Sequence, residues 1–367
     1  MENFIVSARK YRPDTFQSVV GQASITSTLK NAIKNSQLAH AYLFCGPRGV
    51  GKTTCARIFA KTINCQNLTA ETESCNQCES CLAFNGNRSY NIHELDAASN
   101  NSVDDIRNLT DQVRIPPQIG KYSIYIIDEV HMLSQAAFNA FLKTLEEPPK
   151  HAIFILATTE KHKIIPTILS RCQIFDFNRI KIGDISGHLG YVAKSESVDI
   201  EGEALNVIAH KADGAMRDAL SIFDQIVSFS GKTISYKDVI NNLNVLDYDY
   251  YFRLIDSLLK NDVPSSLLLF NEVLDHGFDG HHFINGLSSH VRDLLVCRDQ
   301  LTLQLLEVGG EIKEKYKVQA TVCDPDFLLE ALKISNDCDL QYKASQNKRL
   351  LVELSLIKMA QLTQKKK

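Results

Sequence analysis

Apolar positions follow two regimes along this chain, and the change between them marks its organisation. Up to about residue 177, short unbroken apolar runs alternate with segments whose apolar residues recur every three or four positions. Residues 41–45, 123–127 and 152–157 are such runs, the composition of strands buried on both faces. Residues 134–147 place Ala137, Phe138, Phe141, Leu142 and Leu145 on one helical face and stop at Pro148 and Pro149. Alternation of this kind predicts an α/β domain with a parallel sheet over residues 1–177. Beyond it the β pattern fades. Residues 184–195, 201–213 and 216–228 read as three helices with a break at Gly214, which predicts a small helical domain over 178–242. The remainder, 243–367, carries helical spacing at 250–260, 264–276, 281–298, 326–339 and 348–364, an all-α third domain. His281, His282 and His290 fall there outside any ligand spacing and read as ordinary core or surface histidines.

Composition narrows the class. Of 367 residues, 44% are apolar and 23% charged, ordinary for a soluble globular protein. No apolar run approaches the roughly 20 residues of a membrane helix, and Glu2 precedes no long apolar stretch, so no signal peptide is expected. The ten cysteines are therefore expected in a reducing cytoplasm. A net charge of −3 excludes a protein that coats nucleic acid by charge alone. Lys365, Lys366 and Lys367 end the chain abruptly, as a solvated tail or as the mark of a shortened form of something longer.

The chemistry starts at Gly46-Pro47-Arg48-Gly49-Val50-Gly51-Lys52-Thr53, with Thr54 next to it. This fits G-x-x-x-x-G-K-[ST] between a strand and a helix, the context that makes it a phosphate-binding loop. Its glycines let successive N–H groups face phosphate oxygens, Lys52 should reach the β- and γ-phosphates, and Thr53 should ligate Mg²⁺. The run 123–127 ends in Asp128 and Glu129, the pattern of a strand neighbouring the phosphate loop. Asp128 is assigned to the metal and Glu129 to the general base that polarises the attacking water. Thr158 and Thr159 follow the third strand, and either hydroxyl is placed to sense the γ-phosphate or to cap a turn. Cys65, Cys75, Cys78 and Cys81 form a Cys₄ set at about 64–84, as in closed structural Zn²⁺ sites. A disulfide fits neither the compartment nor the clustering, and an iron–sulfur cluster is the chemical alternative. The remaining six cysteines read as small core residues. Arg171 ends a short segment after Pro166, and Arg217 opens a helix in the small helical domain.

These stretches together, with Ala8-Arg9-Lys10-Tyr11-Arg12-Pro13, Glu94-Leu95-Asp96-Ala97-Ala98-Ser99 and Leu145-Glu146-Glu147-Pro148-Pro149, resemble the gamma/tau subunits of bacterial DNA polymerase III, AAA+ ATPase motors of sliding-clamp loaders. The likeness is dense over roughly 4–228 and thin afterwards. It implies a P-loop AAA+ core with a zinc insertion, a helical lid and an all-α collar, and ATP, Mg²⁺ and Zn²⁺ as cofactors. Arg9, Tyr11, Arg12, Pro13 and Val20 would line the adenine and ribose side. Met216 and Arg217 would sit at the lid with Arg217 as sensor, and Arg171 would act in trans as an arginine finger. The implied partners are other loader subunits in a pentameric ring, the sliding clamp and primer–template DNA. Polymerase and helicase would be met through segments this chain lacks, since it would hold the loader portion only. The resemblance implies ATP hydrolysis within the polymerase holoenzyme and not the polymerase active site itself. A loader subunit that has lost turnover, or another AAA+ DNA motor such as a branch-migration helicase, are the competing readings. Intact Lys52, Thr53, Asp128 and Glu129 oppose the first, and the Cys₄ insertion opposes the second. Asn100-Asn101-Ser102-Val103 is a candidate DNA contact without a basic residue before Arg107, so only modest DNA affinity is expected of the isolated chain.

Overall fold

The computed structural model describes residues 5–363 apart from Asn87, Gln118, Ile119, Asn244 and Glu307; the lysine tail lies outside the described residues. Five strands, β1 (Ala41–Cys45), β2 (Ile92–Asp96), β3 (Ser123–Asp128), β4 (Ala152–Thr158) and β5 (Gln173–Asp176), form one sheet in the order β2-β3-β4-β1-β5. Every pairing is parallel. Parallel neighbours require crossovers, and helices supply them. Those of this region are α1 (Ser7–Lys10), α2 (Ala23–Lys34), α3 (Lys52–Ile63), α4 (Glu79–Asn85), α5 (Val103–Val113), α6 (Gln135–Glu146) and α7 (Pro166–Leu169).

The period-two geometry of β1 explains how one apolar run feeds two cores. Tyr42 and Phe44 pack on one face with Leu29, Phe59 and Ile126, while Leu43 and Cys45 pack on the other with Ile127, Phe141 and Leu156. All residues of β1 and β4 are buried. A fully buried Phe or Leu contributes about 1.5–3 kcal/mol, so the sheet is a stiff platform and its carboxyl end a fixed edge. One expectation is corrected by the strand order. The acidic strand β3 is not the neighbour of β1, because β4 is inserted between them.

The chain divides into two compact units, one running to Val198 and including Ile208–Ser228, the other comprising Asp199–Val207 and Phe229 onward. The first unit adds α8 (Ile182–Ser195) to the sheet region; α9 (Gly202–Lys211) contributes residues to both units, and α10 (Met216–Ser230) falls almost wholly in the first. The second opens on β6 (Asp199–Ile200) paired with β7 (Thr233–Ile234), two short strands that helical periodicity could not announce. Its helices are α11 (Tyr236–Leu243), α12 (Tyr248–Leu259), α13 (Val263–Asp275), α14 (Gly280–Val296), α15 (Gly310–Val322), α16 (Pro325–Tyr342) and α17 (Lys348–Gln361). Phe270, Phe283, Leu287, Tyr316, Leu328 and Leu356 lie in their common core. His290 is buried there, 2.7 Å from the Tyr316 hydroxyl, and burial pulls its pKa down to about 3. It is a neutral core histidine. His281 lies 2.7 Å from an Asp339 oxygen. Among the described residues no helix is long and apolar enough to cross a membrane.

Candidate functional site

The loop after β1 is shaped by where its glycines stand. Gly46 has φ 146°, and a Cβ there would strike the carbonyl oxygen of Phe177. Gly49 has φ 78°, and its Cβ would come within 2.9 Å of Ala215 Cβ, at the edge of the α10 segment. Only glycine fits both, so the loop wraps tightly and delivers Lys52 to the first turn of α3. Lys52 is buried, and its Nζ donates to the carbonyls of Gly46 and Pro47, both at 2.8 Å. Burial pulls its pKa below the ordinary lysine value, while the Glu129 and Asp128 carboxylates oppose that shift. An ammonium held this way by two carbonyls can exchange them for phosphate oxygens.

Thr53 and Asp128 come from elements far apart in sequence and meet at one point. Thr53 Oγ1 donates to Asp128 Oδ2 at 2.6 Å. Glu129, the next residue, has φ 48°, left-handed backbone that non-glycine residues seldom adopt. Its Oε2 accepts from the Thr159 N–H at 3.3 Å and from Thr159 Oγ1 at 3.1 Å. The two threonines are thereby told apart. Thr158 is fully buried, with its Oγ1 3.1 Å from His131 Nδ1, whereas Thr159 reaches Glu129. His131, to which the sequence assigns no role, is the residue that joins this group. Its Nδ1 is also 3.4 Å from Glu129 Oε2, and its Nε2 lies 3.4 Å from Glu160. Its position two residues after Glu129, in a stretch of family likeness, is the signal the sequence offers.

A cleft of about 520 Å³ opens over the loop. Arg48, Gly49, Val50, Gly51, Lys52, Thr53 and Thr54 line it, with Asp128 and Glu129 beside them. The N-terminal strap contributes Arg9, Tyr11, Arg12, Pro13 and Val20, and the α10 end contributes Met216 and Arg217. Gly46, Pro47, Thr158, Thr159 and Arg171 are not among its lining residues. Val19, Ile180, His188 and Leu220 are; Val19 and Leu220 belong to stretches of family likeness that assigned them no role, and nothing in their local sequence singles out Ile180 and His188. Tethers fix the strap. Ser7 donates to Asp224 through its N–H at 2.7 Å and its hydroxyl at 2.5 Å. The Tyr11 hydroxyl and Lys10 Nζ both donate to Glu196 Oε1, at 2.5 and 2.6 Å. Arg12 Nε donates to Thr54 Oγ1 at 3.2 Å. Burial lowers the Arg12 pKa, with Arg57 and Arg217 acting in the same direction. Clustered, partly desolvated cations with glycine N–H groups make an anion site.

Arg171 stands apart, at the end of α7. It pairs with Glu146 at 2.8 Å and donates to the Thr167 carbonyl at 2.8 Å. The α5 N-terminus, the candidate DNA contact, is already occupied by its own chain. Ser102 and Asp105 form a capping box, and Asp104 adds a second acid to the first turn. Arg107 pairs with Asp104 at 3.2 Å, so the charges of that turn partly cancel.

The four cysteine sulfurs between α3 and β2 lie within 4.8 Å of one another. A tetrahedral zinc with ~2.3 Å bonds wants its sulfurs ~3.8 Å apart, so little movement separates this cluster from a ligand shell. Backbone N–H groups already donate to sulfur, from Cys75 to Cys65 Sγ at 3.3 Å and from Cys78 to Cys75 Sγ at 3.3 Å. With Gln77 also donating, the Cys75 thiol is lowered to about 6. The donor set fits a soft divalent cation. Cys45, Cys55, Cys323 and Cys338 are buried, and Cys172 and Cys297 half-buried.

A family model described as DNA polymerase III, delta subunit, matches residues 21–181. Another, described as DNA polymerase III clamp loader subunit, ATPase lid domain, matches residues 184–232. The chain is 39% identical over 273 residues to the DNA polymerase III subunit gamma of Buchnera aphidicola subsp. Baizongia pistaciae, covering 74% of this chain and 74% of that one. This chain belongs to the gamma/tau family of DNA polymerase III subunits. It is also 42% identical over 353 residues to DNA polymerase III subunit tau of Bacillus subtilis, covering 96% of this chain and 62% of that protein. With Haemophilus influenzae subunit tau/gamma the identity is 36% over 360 residues, 97% of this chain and 51% of that protein. A gamma/tau chain of this extent thus spans between half and two thirds of those two relatives. The lid match spans nearly all of α8 and the whole of α9 and α10, with Arg217.

Proposed function

We propose that this chain binds ATP with Mg²⁺ in the cleft and hydrolyses it as a motor subunit of a sliding-clamp loader, which opens the clamp and sets it on primer–template DNA. The observation that carries this reading is the 2.6 Å bond between Thr53 and Asp128, with Lys52 and Glu129 beside it. A metal-ligand pair, a phosphate lysine and a base converge at the carboxyl ends of β1 and β3. Bound Mg²⁺ would supply positive charge to phosphate oxygens, and Thr53 Oγ1 and Asp128 would hold it. Lys52 leaves the Gly46 and Pro47 carbonyls to neutralise the same oxygens. Glu129 accepts the proton of the attacking water, and Thr159 fixes the orientation of its carboxylate. Met216 and the strap residues Arg9, Tyr11, Arg12, Pro13 and Val20 hold the base and ribose, and Arg217 bears on the γ-phosphate from the lid. Arg171, outside its own cleft, serves the neighbouring subunit's site.

In this reading the Cys₄ cluster holds Zn²⁺ with no open position, so it is structural. The partners are other loader subunits in a pentameric ring, the clamp and primer–template DNA, and the setting is the cytoplasm. The non-hydrolysing alternative finds no support in a site that keeps its base.

The test is steady-state ATP turnover by the chain alone and then with clamp, partner subunits and primed DNA. Turnover should be low for the bare chain and should rise at least tenfold in the full mixture. Equal rates in both would contradict a loader role. Under the same conditions the bare chain should bind primed DNA only weakly at physiological salt.

A further inference from the structure

One buried carboxylate is used by neither the cleft nor the Cys₄ cluster, yet it touches the frame of both. Glu73 lies two residues before Cys75 and is 6% exposed. Its Oε2 accepts the Phe16 N–H at 2.9 Å, its Oε1 accepts the Gln17 N–H at 3.1 Å, and Lys30 of α2 pairs with it at 2.9 Å. Phe16 is itself a core residue at 2% exposure, on the stretch joining Pro13 to Val19 and Val20. Those three residues line the cleft on its strap side. The Val19 N–H donates to the Phe16 carbonyl at 3.2 Å, so the turn held by Glu73 also sets the direction of Val19. A second tie runs from α3, where buried Lys61 donates to Asn76 Oδ1 at 2.7 Å, between Cys75 and Gln77. The cysteine loop is thus fastened to the strap and to the helix that begins at Lys52.

We propose that Glu73 makes the Cys₄ insertion a brace for the base-side wall of the nucleotide cleft, so that metal in the cluster and nucleotide in the cleft strengthen each other. The inference rests on the ATP and Zn²⁺ readings above and assigns Glu73 as a positioning residue. The physical cause is local. The loop over residues 65–81 holds its shape by converging four sulfurs, and Glu73 keeps its three partners only while that loop is in place. When the loop loosens, two N–H groups of the strap lose their acceptor, and Val19 and Val20 lose their fixed position. Coupling between two binding sites is reciprocal, and typical values are about 5- to 150-fold.

The experiment uses the full chain. A fluorescent ATP analogue reports nucleotide affinity before and after Zn²⁺ removal by chelator. A colorimetric chelator reports the rate of Zn²⁺ release with and without saturating nucleotide. Zn²⁺ removal should weaken nucleotide binding at least about fivefold, and nucleotide should slow Zn²⁺ release by a similar factor. Glu73→Gln should retain one Zn²⁺ per chain, bind nucleotide at least about fivefold more weakly, and show release rates that nucleotide no longer changes. The release measurement on the unaltered chain needs no variant to fold. If nucleotide binds normally but neither removal of Zn²⁺ nor Glu73→Gln alters its affinity, the brace is wrong and the ATP reading stands. If the unaltered chain binds no nucleotide, the ATP reading fails and the brace falls with it.

Discussion

Glu129→Gln leaves nucleotide affinity within about twofold and lowers ATP turnover by about 10²–10⁴-fold, the range for loss of a positioned general base. Glutamine has the shape of glutamate and can still accept from the Thr159 N–H and hydroxyl, which hold the native carboxylate at 3.3 and 3.1 Å. The substitution therefore removes proton affinity without removing the side chain. Lys52, Thr53 and the glycine N–H groups are untouched, so the phosphates keep their partners. The check is a fluorescent-nucleotide titration beside a phosphate-release assay, both on the assembled complex. Parallel loss of affinity and turnover would mean that Glu129 holds the loop and does no chemistry. His131 supplies a finer form of the same check. It touches Thr158, Glu129 and Glu160 together, so its replacement should lower turnover with little change in affinity.

Arg171→Ala should cost about 10³–10⁵ in turnover in the assembled complex, and nothing in the bare chain. The contrast follows from position. Arg171 lies outside the cleft that holds Lys52, and in its own subunit it makes an ion pair with Glu146 and a bond to the Thr167 carbonyl. The pair is partly exposed, with Arg171 at 33% and Glu146 at 50%, so it contributes at most about 1 kcal/mol to stability. A small structural cost and a large catalytic one separate cleanly. Measured nucleotide affinity should be unchanged. An equal fall in turnover for the bare chain would place the arginine in its own site and end the trans assignment.

The parts most legible in the sequence were those where chemistry restricts residue choice. A phosphate loop needs glycine at Gly46 and Gly49 because of positive φ and close neighbours, and this makes it visible as a motif. Asp128 and Glu129 were visible because two acids end an apolar run, and the Cys₄ cluster because of its spacing. The central strands β1, β3 and β4 showed as apolar runs because both their faces are covered. The edge strands β2 and β5 did not, because Glu94, Asp96, Gln173 and Asp176 are exposed and interrupt the pattern. Helix α15 was missed for a related reason. Of its residues Tyr316 and Ala320 enter the core, while Val318 and Val322 are exposed. What remained out of reach were contacts between distant segments. His131 and Glu73 carry ordinary residue types in ordinary contexts, and only folding brings Glu73 to the N–H groups of Phe16 and Gln17. Strand order was equally hidden, since nothing in the runs themselves told that β4 stands between β1 and β3.

If ATP is bound and cleaved in the cleft over the phosphate loop, turnover must depend on Lys52. The most direct measurement is turnover by Lys52→Ala in the complete loader with clamp and primed DNA, with nucleotide affinity followed in parallel. Lys52 is a buried cation at the loop, and its Nζ donates to the Gly46 and Pro47 carbonyls that phosphate would replace. Its loss should lower turnover at least about 10²-fold, the scale for removing one preorganised charge from a transition state. Turnover equal to that of the unaltered chain would contradict the account and move the chemistry out of this cleft.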